Sequence, residues 1–273
     1  MSGGVRGRGP ADTLLRDEYE SKVARYAQAL TPEVVALVRD TLPPGGRLLD
    51  VGCGTGNLLR QFRGQASFLA GIDVAASACD AARAVADLVV NEPVESEAIP
   101  FDDHSFDVVV CADVLEHLVD PAAGLARAAD WCTTGGAVVV SVPNIAYWQA
   151  RLRLLRGVWK YEDVGIFDDG HLRFFTLGTL RLLVAGAGLE IVAYRPVLRE
   201  FWHNLRGFRR LPDGVQRPVE RAWAGWGLRR PTLLAYQHVC VCRRVKTASD
   251  VGEERRPPQA TGLPVVAQGV HEL

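Results

Sequence analysis

Leu48-Leu49-Asp50-Val51-Gly52-Cys53-Gly54-Thr55-Gly56-Asn57 is the stretch that decides how this chain folds. An apolar run suited to a buried strand reaches an acidic residue. Glycine then occupies every second position. An apolar-periodic segment, Leu58-Leu59-Arg60-Gln61-Phe62, follows directly. The pattern predicts a strand, a tight turn and a helix start. Alternate glycines remove side chains where a ligand must lie against backbone. The N–H groups of the helix start face an anionic part of that ligand.

The spacing is Gly-x-Gly-x-Gly, not the Gly-x-Gly-x-x-Gly of dinucleotide binders. The third dinucleotide position falls on Asn57, whose side chain would stand where helix and strand approach closely. Further along, Phe68-Leu69-Ala70-Gly71-Ile72-Asp73 predicts a second strand ending in an acid. A carboxylate there can take both hydroxyls of a ribose. A third buried strand is expected over Ser105-Phe106-Asp107-Val108-Val109-Val110-Cys111-Ala112, with Leu115-Glu116-His117-Leu118 just after it.

With these residues in place, the chain resembles the class I S-adenosylmethionine-dependent methyltransferases. The matching text is LLDVGCGTG, GIDV, IPFDDHSFDVVVCADVLEHLVDP and SVPN, in that order. It covers roughly residues 45 to 195 and speaks for fold and cofactor far more than for substrate. The resemblance implies a Rossmann-like α/β fold, a seven-stranded and mostly parallel sheet with an antiparallel last strand. It implies cofactor contacts from Asp50, Gly52, Cys53, Gly54, Gly56, Asp73, Val74 and Ala112, with the adenine near Val94 and Glu95. Tyr19, on an N-terminal helix, would close over the cofactor or simply pack. At Glu92-Pro93 the chain departs from the Gly-Asp of many relatives, so the adenine contact differs there.

Bulk composition fits one large α/β domain. The chain has 273 residues, 48% hydrophobic and 23% charged, with a formal net charge of −1. Such a balance gives no global field toward nucleic acid. Arginines cluster at Arg206, Arg209 and Arg210, and at Arg229 and Arg230, and read as solvated faces or as a site for an anionic substrate. No apolar run reaches the ~18 residues of a membrane span, and MSGGVRGRGPAD has no apolar core of a secretory signal. The cysteines are Cys53, Cys79, Cys111, Cys132, Cys240 and Cys242. They form no Cys-x-x-Cys and read as small buried hydrophobes of a reducing cytoplasm, with no metal centre expected. A homodimer stays open.

Residues 1–12 are expected to be disordered, 13–246 to form the methyltransferase domain and 247–273 to be a disordered tail. Helices are expected over 13–30, with Leu15, Tyr19, Val23 and Tyr26 on one side, and from Thr31-Pro32-Glu33, with Thr31 as N-cap. Strands are expected near 47–52, 68–73, 87–91, 106–112, 137–142, 189–195 and 234–244, and helix starts near 57, 75, 120 and 177. Strands alternating with helices make a parallel sheet covered on both faces. Two inserts, 143–175 and 196–231, are expected to cap the substrate. The first carries a basic amphipathic helix through Trp148 and Leu155. The second carries Phe201, Trp202, His203, Phe208, Trp223 and Trp226. These aromatics read as a cap core, or as a pocket wall that stacks on a flat or sugar substrate.

His171 follows Asp168-Asp169-Gly170, a turn that leaves room for a mobile or exposed imidazole. Its place after the fifth strand sets it over the carboxyl ends of the strands, where open α/β sheets bind ligands. There it could take a proton from an acceptor hydroxyl, with an ordinary imidazole pKa near ~6–7. The other reading is a lid histidine bonded to Asp168 or Asp169. His117 reads as a hydrogen-bonded residue near the sheet end or as a substrate contact. Arg173 reads as a partner for an acidic substrate group or for the same aspartates. The expected activity is methyl transfer to a small molecule, at a hydroxyl of a natural product or glycan. N- or C-methylation and a non-catalytic cofactor-binding subunit are the alternatives.

Overall fold

The computed structural model describes residues 10–26, 30–199 and 213–245. Strands β1 (Arg47–Val51), β2 (Phe68–Ile72), β3 (Leu88–Val90), β4 (Phe106–Ala112), β5 (Cys132–Pro143), β6 (Leu189–Val197) and β7 (Gln237–Arg244) form one sheet, ordered β3-β2-β1-β4-β5-β7-β6. The first five pair in parallel, and β7 runs antiparallel between β5 and β6. This is the expected class I architecture. The order reverses beside β1, so the carboxyl ends of β1 and β4 flank the crevice where such sheets take ligands.

Period-two alternation builds the two faces. Leu49, Val109, Val138, Cys240 and Cys242 point to one layer, while Leu48, Val108, Val110, Val139, Val239 and Val241 point to the other. Helices α5 (Pro121–Trp131) and α7 (Leu177–Gly186) cover the first layer through Leu125, Trp131, Leu180 and Val184. Helices α2 (Pro32–Thr41) and α3 (Asn57–Arg60) cover the second through Val34, Leu37, Leu59 and Phe62. Each fully buried Leu, Val or Phe contributes about 1.5–3 kcal/mol. All the cysteines lie buried and unbridged in these layers, as their pattern suggested.

Two helix starts are closed by side-chain caps. Asp120 caps α5, accepting from Ala122 and Ala123 N–H at 3.0 Å each, and Pro121 fills the first helical position. Thr176 and Thr179 close a reciprocal capping box on α7. Thr31 stands at the N-cap of α2 but makes no capping bond there; its hydroxyl instead lies 3.5 Å from Gln237 Oε1. Helix α1 (Pro10–Tyr26) begins earlier than expected, so residues 10–12 are helical rather than disordered. Pro10 opens it, the position where a missing N–H costs nothing. Residues 1–9 and 247–273 lie outside the described residues.

The insert after β5 forms α6 (Trp148–Leu155) and a loop that returns along Ile166 and Phe167. Tyr147, Ala150, Ile166 and Phe167 make a small separate core, with Trp148 and Tyr236 packed on it. Helix α8 (Asp213–Arg229) and the single turn α9 (Pro231–Leu234) lead into β7. Trp223 is half-buried, Trp226 is exposed, and Arg229 and Arg230 are exposed. Phe201, Trp202, His203, Arg206, Phe208, Arg209 and Arg210 lie outside the described residues. No described helix is long and apolar enough to cross a membrane.

Candidate active site

A cavity of about 700 Å³ opens over the carboxyl ends of β1, β2, β4 and β5. Its wall includes Tyr19, Asp50, Gly52, Cys53, Gly54, Asp73, Val74, Val94, Glu95, Ala112, His117 and His171. The sequence-derived set therefore converges on one space, apart from four residues. Gly56, Trp148 and Arg173 are not among the lining residues, and Trp202 lies outside the described residues.

The three described departures have a physical reason. Gly56 has φ +79°, and a Cβ there would sit 2.6 Å from Val85 Cγ2 and 3.2 Å from Ala82 Cα. It lets the turn pack on the end of α4 (Ala76–Ala82) rather than on a ligand. Gly54, at φ +49°, would meet nothing within 4 Å, so it is the glycine that leaves backbone bare toward the cavity. Trp148 stacks edge-on to Tyr147 at 5.9 Å within the insert's own core. Arg173 is exposed, and its guanidinium donates to the Val119 carbonyl rather than to Asp168 or Asp169.

Asp73 ties the ends of two strands together. Its Oδ2 accepts the Gly54 N–H at 2.8 Å and its Oδ1 accepts the Ala75 N–H at 2.9 Å. Burial raises its pKa, opposed by those backbone bonds. Asp50 beneath the turn is 4% exposed; burial, reinforced by Asp73, pushes its carboxyl up to about 8. On the wall beyond β3, Asn91 Nδ2 donates to the carbonyls of Asp73 and Val74 at 3.0 Å each. Arg16 of α1 bonds Asn91 Oδ1 at 3.1 Å and Glu92 at 3.0 Å, which docks the helix over this end.

At the other end, the short turn Leu115–His117 meets the insert loop. His117 Nδ1 lies 2.9 Å from the Gly170 carbonyl, and its ring meets the Tyr19 ring edge-on at 5.7 Å. Burial lowers its pKa. His171 is 9% exposed, with Nδ1 3.2 Å from the Ile166 carbonyl and its ring 4.9 Å from that of His117. The mobile or exposed imidazole expected from the Asp-Asp-Gly turn is therefore a buried one. Its carbonyl partner, not Asp168 or Asp169, sets the ring. Burial, with His117 adding to it, lowers its pKa to about 4, well under the ordinary value. Asp169 is held elsewhere, by Lys22 of α1 at 2.8 Å.

Several lining groups gave no sequence signal. Asp113 follows β4 at φ +56°, bonded by Gln237 Nε2, which also donates to Ser141 Oγ at 2.6 Å. Burial pushes Asp113 up to about 7. Glu116 is 1% exposed, neither carboxyl oxygen has a hydrogen-bond partner, and burial with Asp113 beside it raises its pKa strongly. Tyr236, Gln237 and Arg199 come from residues read only as strand and insert. The positive φ of Asp113 was the one hidden cue, since Asp tolerates that region.

Glu116, His117 and His171 each offer one ligand atom, all within 4.8 Å of one another. Such carboxylate and imidazole donors suit a divalent cation. This cluster uses none of the cysteines on which the expectation of no metal centre rested.

A bare glycine turn under β1, an acid at the tip of β2 and a parallel sheet closed by an antiparallel β7 define a class I S-adenosylmethionine-dependent methyltransferase. Comparison with known proteins agrees. A methyltransferase-domain family model matches residues 19–194, and the chain belongs to that family. The ubiquinone biosynthesis O-methyltransferase of Neisseria meningitidis serogroup C is 40% identical over 107 residues, 37% of this chain and 45% of that protein. The chain thus spans less than half of that relative's length. The protein of the same description from Thiobacillus denitrificans is 35% identical over 178 residues, 59% of this chain and 75% of the relative. Among solved structures, the Burkholderia thailandensis 1,6-didemethyltoxoflavin-N1-methyltransferase, with S-adenosylhomocysteine bound, superposes at TM-score 0.55 and 16% identity, covering 90% of this chain and 94% of its own. The Synechocystis magnesium protoporphyrin IX methyltransferase does so at 0.52 and 14%, covering 89% and 90%. At such identities the structures speak for the fold alone.

The cofactor is S-adenosylmethionine, and the cavity fits it. The floor is rich in buried carboxyls, Asp50, Asp73, Asp113 and Glu116. A ligand carrying a sulfonium and an ammonium favours the ionised form of those acids, so its charge complements the floor.

Proposed function

We propose that this methyltransferase acts on a hydroxyl of a small molecule, with Gly54, Asp73 and the β3-side wall holding the cofactor and His171 receiving the acceptor's proton. The observation that carries this reading is the imidazole of His171, buried in the same cavity as the glycine turn with Nδ1 3.2 Å from the Ile166 carbonyl. With the proton on Nδ1 facing the Ile166 carbonyl, Nε2 keeps its lone pair for an incoming O–H.

When bound, S-adenosylmethionine supplies an electrophilic methyl for in-line displacement, the new O–C bond forming as the S–C bond breaks. Asp73 accepts the ribose hydroxyls through lone pairs its two backbone donors leave over. Gly54 and the following N–H groups line the amino-acid end. Tyr19, wedged against His117, excludes water from the reacting end. The acceptor hydroxyl's proton moves to His171 Nε2, and the nearby Asp168 favours the imidazolium that results.

The expected acceptors are natural products or glycans. The relatives described as O-methyltransferases support oxygen over nitrogen or carbon as the methylated atom. The test is a screen of hydroxylated, aminated and C–H-acidic small molecules with labelled cofactor, followed by mass spectrometry of the product. Methylation confined to nitrogen or carbon overturns the reading.

A second reading is favoured by Glu116, whose buried carboxyl lacks a hydrogen-bond partner beside two imidazoles. A divalent cation held by Glu116, His117 and His171 would polarise the acceptor oxygen in place of a protein base. Dialysis against a chelator separates the two. Turnover lost and restored by Mg²⁺ or Mn²⁺ supports the cation, and turnover unchanged supports the imidazole.

A further inference from the structure

Carboxyl groups dominate the cavity wall, and Arg199 is its one permanent cation among the described residues. Its guanidinium lies 3.8 Å from the centroid of the Tyr236 ring. No described acid forms a salt bridge with it. Tyr236 is itself fixed. Its ring meets Tyr147, 1% exposed, edge-on at 5.6 Å, and its hydroxyl reaches the loop at Gly165, where a Cβ would lie 2.7 Å from it. Gly165 has φ +96°, so the loop passes close to the ring only because no side chain is present. A guanidinium seated over a ring keeps N–H groups at its edge, and such a fork grips a carboxylate or phosphate with two parallel bonds.

We infer that Arg199, seated over Tyr236 at the mouth of the acceptor pocket, binds an oxyanion carried by the acceptor, so that the substrates are hydroxylated carboxylates or phosphate esters. This rests on the proposed acceptor role of the cavity end that His171 and Tyr236 share. Electrostatics fixes the orientation. Burial around Asp113 and Glu116, which already pushes their own carboxyls toward the neutral form, disfavours a further anion at the inner end, while exposed Arg199 attracts one. The charged end therefore stays outward and the neutral hydroxyl enters toward His171. Gln237, beside Tyr236, is bonded to Asp113 and Ser141 and is not available to the anion through its amide N–H.

The test reads binding, not turnover, and so stands apart from the identity of the methylated atom. Benzoate, phenyl phosphate and benzyl alcohol are titrated by calorimetry into the full chain loaded with S-adenosylhomocysteine. At least one anion should bind tenfold or more tightly than the alcohol, and which one distinguishes carboxylate from phosphate recognition. Arg199→Gln should erase that preference with S-adenosylhomocysteine affinity unchanged, and Arg199→Lys should keep part of it. Equal binding of all three probes, no binding of either anion, or a preference that survives Arg199→Gln overturns the inference. If the preference holds while product analysis finds methyl on nitrogen, the hydroxyl reading fails and the oxyanion subsite stands.

Discussion

The carboxylate of Asp73, at the tip of β2, accepts the backbone N–H of Gly54, in the turn beyond β1, at 2.8 Å. One side chain thus holds the shape of the glycine turn and faces the cavity that the turn lines. Removing it should harm both. Asp73→Ala is expected to weaken S-adenosylhomocysteine binding by about 2–4 kcal/mol through loss of two charge-assisted ribose bonds. It should also cost about 1–3 kcal/mol of stability by stranding the Gly54 and Ala75 N–H groups. Calorimetry and thermal melting measure the two. Undiminished affinity in a folded variant would remove Asp73 from the ribose.

The glycines of the turn should separate cleanly. Gly54→Ala places a methyl in open cavity, so it should lower cofactor affinity at least tenfold beyond the ~1–2 kcal/mol left-handed strain common to both sites. Gly56→Ala drives a methyl against Val85 and Ala82, so it should depress the melting temperature more and affinity less. The reverse ordering would mean that Gly56, not Gly54, faces the ligand.

His171→Ala should slow the chemical step by about 10²–10⁴-fold. Cofactor affinity should hardly move, because the imidazole belongs to the acceptor end. Single-turnover rates with an acceptor found by the product screen measure this. A loss under tenfold would reduce His171 to a wall of the pocket, and alignment alone would carry the reaction.

Asp50 makes binding and stability depend on pH. Its carboxyl is raised from 3.8 to about 8 in the folded chain. Between those values the folded state holds a proton that the unfolded state has released, so this contribution to stability falls as pH rises from about 4 to 8 and is constant above. Asp50→Asn should flatten the pH dependence of the melting temperature over that window. A cationic cofactor beside Asp50 favours its ionised form. Binding should therefore release a proton and tighten as pH rises toward 8. Calorimetry in buffers of different ionisation enthalpy counts the proton, and no buffer dependence would place the cofactor's cations away from Asp50.

The end of the cavity proposed for the cofactor was legible because it is local. One strand, one turn and one acid at a fixed interval carry Asp50, Gly54 and Asp73 into the cavity wall, and the resemblance added Ala112. The acceptor half was not, because it is assembled from segments far apart in the chain. Tyr236 and Gln237 read as ordinary strand residues until β7 sets them beside Ser141 and Asp113. Position brought His171 to the right cavity, but the polar turn before it gave the wrong environment. The exposed-looking Asp-Asp-Gly is covered by α1 through Lys22, a contact no local pattern encodes. Trp148 misled for a related reason, since an aromatic on an insert fills that insert's own core as readily as a pocket.

The insertion of β7 between β5 and β6 has a consequence for how the enzyme is made. A nascent chain leaving the ribosome N-terminus first exposes β1 to β4 and the glycine turn well before Gln237. The proposed cofactor end can assemble from those early segments, whereas the proposed acceptor wall waits for a late strand that alone joins β6 to the sheet. Non-local pairing of this kind is slow, and until it happens the outer edge of β5 stands open. The bonds from Gln237 to Ser141 and Asp113 are then the last closure, so the end of the cavity proposed for the cofactor is complete before the wall proposed for the acceptor.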